Sequence, residues 1–200
     1  MTSFVTSHMS ISLDGFVAGP DQTQQHPLGV DGDKLHRWHL DEPMHPVDEA
    51  FTQRLLGPRG AYIMGRNMFG PVRGAWGTSD WRGWWGPEPP YHAPVFVMTH
   101  HAHAPIEMEA GTTFHFVDSF DAALAAARDV AGDLPIDIAG GASAVRQALQ
   151  AGCLDELVLD VIPVVLGRGE RLFDGVADLS AEPVDVAISP KATHVVYRIT

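Results

Sequence analysis

Apolar positions along this chain switch between a period of two and a period of three to four, and the switches mark out its elements. Phe4 to Leu13 reads as a strand that runs into the turn signal Asp14-Gly15. Residues 19 to 33 are polar and rich in Gly and Pro, which predicts a surface loop, and Lys34 to Leu40 follow as a short helix. Val47, Phe51 and Leu55 recur every four residues before Gly57-Pro58 stops the chain, so an amphipathic helix is expected there. Ala61 to Met64, Pro94 to Met98 and Thr112 to Val117 read as strands. Asp118 or Ser119 is placed to cap a helix with the buried stripe Phe120, Leu124, Ala127 and Ala131. Pro135 to Ala139 predicts a strand that breaks at Gly140-Gly141. The helix after it turns Val145, Ala148 and Leu149 inward and stops at Gly152. Leu157 to Leu166 is almost wholly Val, Ile and Leu apart from Asp160 and Pro163, the pattern of a strand buried on both faces. Val184, Val186 and Ile188, then Val195, Tyr197 and Ile199 across Ser189-Pro190-Lys191, predict an antiparallel hairpin.

Strands alternating with helices and closed by a hairpin give an α/β fold, with a mostly parallel sheet and an antiparallel edge. No repeat or linker interrupts the pattern, so residues 1–200 are expected to form one domain. The segment from Pro71 to Tyr91 has no periodicity and holds four of the five tryptophans, Trp76, Trp81, Trp84 and Trp85. It packs on its own domain, covers a site, or meets another subunit.

The formal net charge of −12 argues against nucleic acid and against an anionic membrane surface as partners. It leaves room for a small anionic ligand held by a local arginine. One cysteine, Cys153, excludes an intrachain disulfide and reads as an inert packed thiol. The N-terminus opens on strand-like sequence with no signal-like segment, and no apolar run has transmembrane length. A cytoplasmic protein is expected.

Gly140-Gly141-Ala142-Ser143 joins a strand end to a helix start. Glycines there let the backbone approach a phosphate, and the helix offers unpaired N–H groups and its positive end. The alternative is a tight turn with no ligand. The motif lacks the Lys-Ser/Thr of a P-loop and the third glycine of the dinucleotide fingerprint. Gly65-Arg66-Asn67-Met68 closes a second strand, placing Arg66 where α/β proteins bind ligands; a surface ion pair is its other reading. Together the two turns suit one extended phosphate ligand. Thr99-His100-His101 follows a third strand and either completes a phosphate pocket or forms a solvated loop. With His103 it invites a metal reading, but no Cys or Glu stands at ligand spacing, so no metal site is assigned. Among the carboxylates Asp14, Asp31, Asp33, Asp155 and Glu156, Asp14 sits at the end of the first strand. It is the candidate proton-relaying or substrate-orienting group, with a self-satisfied turn residue as the alternative.

Taken together, these motifs resemble the dihydrofolate reductase-like superfamily. More narrowly they resemble the reductase domain of riboflavin-biosynthesis deaminase-reductases and its free-standing relatives. The resemblance rests on Met9-Ser10-Ile11-Ser12-Leu13-Asp14-Gly15, Ile63-Met64-Gly65-Arg66-Asn67-Met68-Phe69, Ile138-Ala139-Gly140-Gly141-Ala142, Leu154-Asp155-Glu156-Leu157, and Leu166-Gly167-Arg168-Gly169 with Leu172-Phe173. It implies a three-layer α/β/α sandwich and an NADPH cofactor with Arg66, Asn67 and Met68 beside Gly65 near the 2′-phosphate. It further implies Thr99 and His100 on the adenine-ribose side, and Gly140, Gly141, Ala142, Ser143 and Ala144 on the pyrophosphate. The two glycine turns would mark opposite ends of that cofactor site. The resemblance also implies a cis peptide at Gly140-Gly141, a homodimer, and hydride transfer to a C=N or C=O group of a small, flat, polar substrate of pterin or pyrimidine type. Met68 replaces the Thr of dihydrofolate reductases. Leu35 stands three residues before Trp38, where they carry a carboxylate, with Asp31 and Asp33 out of register. These departures argue against dihydrofolate itself as substrate and leave a non-catalytic nucleotide-binding or interaction module as the alternative.

Overall fold

In a computed structural model the chain is described at residues 3–71, 73–78 and 80–200. The first strand, β1 (Val5–Ser12), is followed by β2 (Phe16–Ala18), a 3-10 turn (Gly32–His36), α1 (Arg37–Leu40) and α2 (Pro46–Leu55). Then come β3 (Ala61–Gly65), α3 (Arg66–Phe69), β4 (Pro94–Met98), β5 (Ile106–Glu107), β6 (Thr113–Val117) and α4 (Phe120–Val130). The chain ends with β7 (Ile136–Gly140), α5 (Ala142–Gln150), β8 (Glu156–Ile162), β9 (Glu170–Arg171), β10 (Ala181–Ile188) and β11 (Thr193–Ile199).

Nine strands form one sheet in the order β10-β11-β8-β1-β7-β3-β4-β6-β5, and β2 pairs with β9 beside it. The inner pairs β8-β1-β7-β3-β4-β6 are parallel, and β11, β10 and β5 are antiparallel. This is the expected α/β/α sandwich with its antiparallel hairpin. Helices α4 and α5 cover one face, where Phe120, Leu124, Ala127, Val145, Ala148 and Leu149 meet Ile63, Ile136, Ile138 and Leu157. The Ser119 hydroxyl caps α4 by accepting from the Ala122 N–H at 3.3 Å.

The opposite face is covered in two separate patches. Leu35, Trp38 and Phe51 pack on Val158, Ile162 and Val196 at one side. At the other, Phe69, Trp76, Trp81 and Trp85 pack on Tyr62, Met64, Val95, Val97 and Phe114. The irregular segment therefore packs Trp76, Trp81 and Trp85 on the sheet; its positions 72 and 79 lie outside the described residues. The gap between the patches exposes the middle of the sheet and creates the site.

One expectation shifts. The strand predicted to reach Leu166 ends at Ile162, because Pro163 has no N–H to continue the ladder and Val164 N–H turns back to Ile162 O at 2.7 Å. The predicted hairpin forms as β10 and β11, and the apolar residues of β10 lie exposed at the sheet edge: Val186 is 54% and Ile188 70% exposed. Among the described residues no helix is long and apolar enough to cross a membrane.

Candidate active site

A cleft of about 990 Å³ opens between the two patches. Strand alternation sets its floor: His8 and Ser10 of β1, Asp137 and Ala139 of β7, Tyr62 of β3 and Asp160 of β8 all line it. These are the residues that β1, β7, β3 and β8 turn toward the gap, while their neighbours in sequence go to the α4–α5 side.

One end of the cleft gathers every residue assigned from sequence to a phosphate ligand. Gly65, Arg66, Asn67, Met68, Thr99, His100, Gly140, Gly141, Ala142, Ser143 and Ala144 all line it. The turns are neighbours rather than opposite ends: β3 and β7 pair directly, and a Cβ added at Gly65 would stand 3.7 Å from Gly141 N. The peptide between Gly140 and Gly141 is cis, and Gly140 has φ +127°. A Cβ at Gly140 would come within 3.1 Å of Met68 Sδ, whereas one at Gly141 would meet nothing within 4 Å, so Gly141 leaves open space at the start of α5. The helix brings its first free N–H groups to the same place.

Arg66 is the unusual group at this end. Its guanidinium carbon lies 3.2 Å from the ring centroid of Trp76, whose indole N–H donates to His101 O at 2.8 Å. All three guanidinium nitrogens are buried without a hydrogen-bond partner among the described residues, and burial lowers the Arg66 pKa to about 10. Five donors in a planar fork, stripped of water and unpaired, suit a polyanionic group such as a phosphate ester. Thr99 is buried, and its hydroxyl accepts from the His101 N–H at 3.2 Å.

The other end holds titratable groups. Asp137 is buried with Oδ1 unpartnered, and desolvation pushes its carboxyl up to about 6. His36 and His39 line the cleft with Nδ1 and Nε2 3.2 Å apart. Burial first, and His39 second, lower the His36 pKa to about 4. Beneath them Asp160 lies between His8 and His194. Burial would raise its carboxyl, but hydrogen bonds to His194 and His8 outweigh that and lower it. Among the described residues no group of three or more His, Cys, Asp and Glu side chains is placed to hold a metal ion.

The sequence profile of the RibD C-terminal domain matches residues 3–195. The chain belongs to that family. It is a family of reductase domains. Solved structures share the fold. A protein of Shewanella sp. PV-4 assigned by name to riboflavin biosynthesis superposes with a TM-score of 0.64 at 22% identity, covering 98% of this chain and 99% of that one. A pyrimidine reductase-like protein of Corynebacterium diphtheriae gives 0.59 at 17%, covering 99% and 92%. The dihydrofolate reductase of Enterococcus faecalis, complexed with NADP(H), gives 0.61 at 15%, covering 100% and 98%. No curated protein matches the chain.

Within this RibD-type fold, Asp14 stands apart from the cleft. Its Oδ1 accepts from the Ser12 hydroxyl at 2.7 Å and from Leu166 N–H at 3.0 Å, and its Oδ2 accepts from Gly167 N–H at 2.7 Å. The carboxylate is spent on holding the loop after β8, which corrects its placement as a proton-relaying group. Asp31 pairs with Lys34 and Asp33 with Arg37, both outward, and Asp155 bonds Val5 N–H at the start of β1. Glu156 pairs with Arg54. Leu35 is fully buried in the Trp38 patch. Cys153 is half-buried, with burial raising its thiol pKa.

The titratable end was not among the candidates read from sequence. Its signal was present in the strands themselves: Thr6, His8 and Ser10 at alternate positions of β1, Asp137 between two isoleucines, Asp160 in an apolar run and His194 before Val195-Val196. Polar groups are seldom placed on a buried strand face unless they are paired or have work to do.

Proposed function

We propose that the protein is an NADPH-dependent reductase acting on a C=N or C=O group of a small, flat, polar substrate of pterin or pyrimidine type. One observation carries the reading: the buried, unpartnered guanidinium of Arg66 beside two touching glycine turns and the start of α5. Those groups fit the anionic parts of a phosphorylated dinucleotide. Arg66 would hold the 2′-phosphate, with Asn67 and Met68 beside it. Gly140, Gly141, Ala142, Ser143 and Ala144 would hold the pyrophosphate, and Thr99 and His100 would flank the adenine ribose. When bound, NADPH supplies the hydride; the protein's share is positioning and electrostatics.

At the substrate end the cleft is walled by Trp84 and Tyr91 and floored by His8, Tyr62 and Asp137. Flat rings suit such walls, and ring N–H and C=O groups would meet the unpaired atoms of Asp137 and His8. The names of two structural neighbours, a pyrimidine reductase-like protein and a dihydrofolate reductase with NADP(H), agree with this chemistry. Leu35 in place of a helix carboxylate favours a second reading, a module that binds the nucleotide without catalysis.

The test is NADPH oxidation against a panel of pterins, pyrimidines and carbonyl compounds. Turnover of a flat heterocycle supports the reductase. Tight NADPH binding with no oxidation across the panel supports the binding module instead.

A further inference from the structure

Four ionisable side chains form one buried chain at the floor of the cleft. His194 Nε2 donates to Asp48 Oδ1 at 2.9 Å, and His194 Nδ1 donates to Asp160 Oδ1 at 2.7 Å. His8 Nε2 lies 3.0 Å and 2.9 Å from the two oxygens of Asp160. The Ser10 hydroxyl supports the same carboxylate at 3.4 Å, and the Trp38 indole N–H donates to Ser10 at 2.8 Å. Both nitrogens of His194 face carboxylates, and those hydrogen bonds outweigh burial and raise its pKa, which favours the imidazolium with both nitrogens as donors. Asp160 is then an acceptor, and His8 must present Nε2–H to it. That fixes the His8 tautomer, as a carboxylate behind an imidazole does in acid–base catalysis generally. The remaining nitrogen, Nδ1, is buried with no partner among the described residues, on a ring that lines the cleft. The ring is held between Trp38, stacked at 6.1 Å, and the edge of Phe51 at 6.4 Å.

We propose that His8 is the acid–base residue of this cleft, with Nδ1 holding the proton that the substrate heteroatom receives and Asp160 acting as its positioning residue. The proposal rests on the reductase reading. In the step it serves, the substrate carbon gains a hydride from a dihydronicotinamide, which is oxidised to the pyridinium. The π pair of the C=N or C=O bond moves to the heteroatom, which takes the proton from His8 Nδ1. The neutral imidazole keeps its Nε2–H on Asp160, and solvent returns the Nδ1 proton.

The charged and titratable groups around His8 are Asp160 on β8, Asp137 on β7, His39 on α1 with His36 beside it, and, behind Asp160, His194 on β11 and Asp48 on α2. Asp137 is the rival donor. It lies level with Thr6, whereas His8 is two residues farther along β1, toward the level of Gly140 and the cofactor turns. Among the described residues no hydrogen bond holds Asp137 Oδ1, while Asp160 orients His8. His39 is pulled toward its neutral form by burial.

The test uses the full-length protein labelled with ¹⁵N-histidine, titrated from about pH 5 to about pH 9.5 with and without NADP⁺. The expected result is that His8 Nδ1 passes between N–H and bare nitrogen while Nε2–H persists, and that Asp160→Asn removes the tautomer preference. An Nδ1 fixed in one state throughout, or titration at Nε2 instead, overturns the role. In parallel, NADPH oxidation is measured with dihydropterins and aminopyrimidinones. His8→Gln should lower kcat by about 100-fold, flatten its pH dependence and leave the NADPH Kd unchanged. A kcat within about threefold of wild type with the same pH profile, or the loss appearing in Asp137→Asn instead, overturns it as well. Failure of the wild-type protein to reduce any probe counts against the reductase reading and so against this role, while a fixed Nδ1 in a protein that does reduce a probe counts only against His8.

Discussion

The Asp14 carboxylate and the Gly167 backbone N–H, 153 residues apart in the chain, meet at 2.7 Å. This bond, with those from Leu166 N–H and Ser12, pins the loop after β8 to the end of β1. Burial would raise the Asp14 pKa, but the Ser12 hydroxyl and the N–H groups of Gly167 and Leu166 outweigh it and hold it at about 2. A depressed carboxylate stabilises the fold above its unfolded value and loses that contribution as pH falls through its folded value. Asp14→Ala should therefore lower Tm at pH 7, and the two proteins should converge as the pH drops from about 4 to about 2. Thermal melts across that range check it; a Tm unchanged at pH 7 contradicts it.

Asp137 has the opposite sign. Its carboxyl, held up to about 6 first by desolvation, is more easily protonated in the folded chain than in the unfolded one. Its ionisation therefore erodes stability as pH rises from about 4 to about 6, and the full penalty stands above that. Asp137→Asn should stabilise the fold by about 3 kcal/mol at pH 8 and by almost nothing at pH 4. Urea unfolding at the two pH values measures the difference.

The His194 cluster fixes a third pH dependence. Burial alone would lower the His194 pKa, but hydrogen bonds to Asp160 and Asp48 outweigh it and raise it. A raised imidazole contributes fully below its unfolded value of 6.5 and fades as pH climbs through the folded one. Lowered Asp160 contributes above 3.8 and fades below it. The cluster is thus strongest between about pH 4 and about pH 6.5. His194→Gln should destabilise by about 3–5 kcal/mol in that window, because it leaves buried carboxylates unpaired, and by less at pH 9. A difference that grows with pH would contradict the assignment.

The fold was largely legible because β3, β4, β6, β7 and the helices α2, α4 and α5 follow simple periodicity with caps and stops in place. The turns that line one end of the cleft were legible because Gly65-Arg66 and Gly140-Gly141 are local features at strand ends. The His8–Asp160–His194–Asp48 chain was not, because its members come from β1, β8, β11 and α2 and meet only through sheet pairing. The same reason misplaced Asp14: its position after a strand pointed to the cleft, while its partners besides Ser12, the N–H groups of Leu166 and Gly167, lie 152 and 153 residues away. Sequence also gave no sign that the apolar residues of β10 would face outward, since alternation shows that a face exists but not which side is covered.

That outward face leads to a fourth expectation. A long edge strand carrying Val184, Val186 and Ile188 in the open is a pairing surface. The protein should sediment as a homodimer joined through β10, and the double substitution Val186→Lys with Ile188→Lys should shift it to monomer with its fold intact. Analytical ultracentrifugation distinguishes these; a wild-type monomer at micromolar concentration contradicts the dimer.

The most direct measurement of the central claim is calorimetric titration of NADPH and NADH into wild type and Arg66→Ala. A guanidinium fork on the 2′-phosphate contributes charge-assisted bonds worth about 1.5–3 kcal/mol each. The wild type should prefer NADPH by about 10- to 100-fold, and Arg66→Ala should weaken NADPH by that factor while leaving NADH almost unchanged. Equal losses for the two nucleotides, or no binding of NADPH to the wild type, would contradict the account.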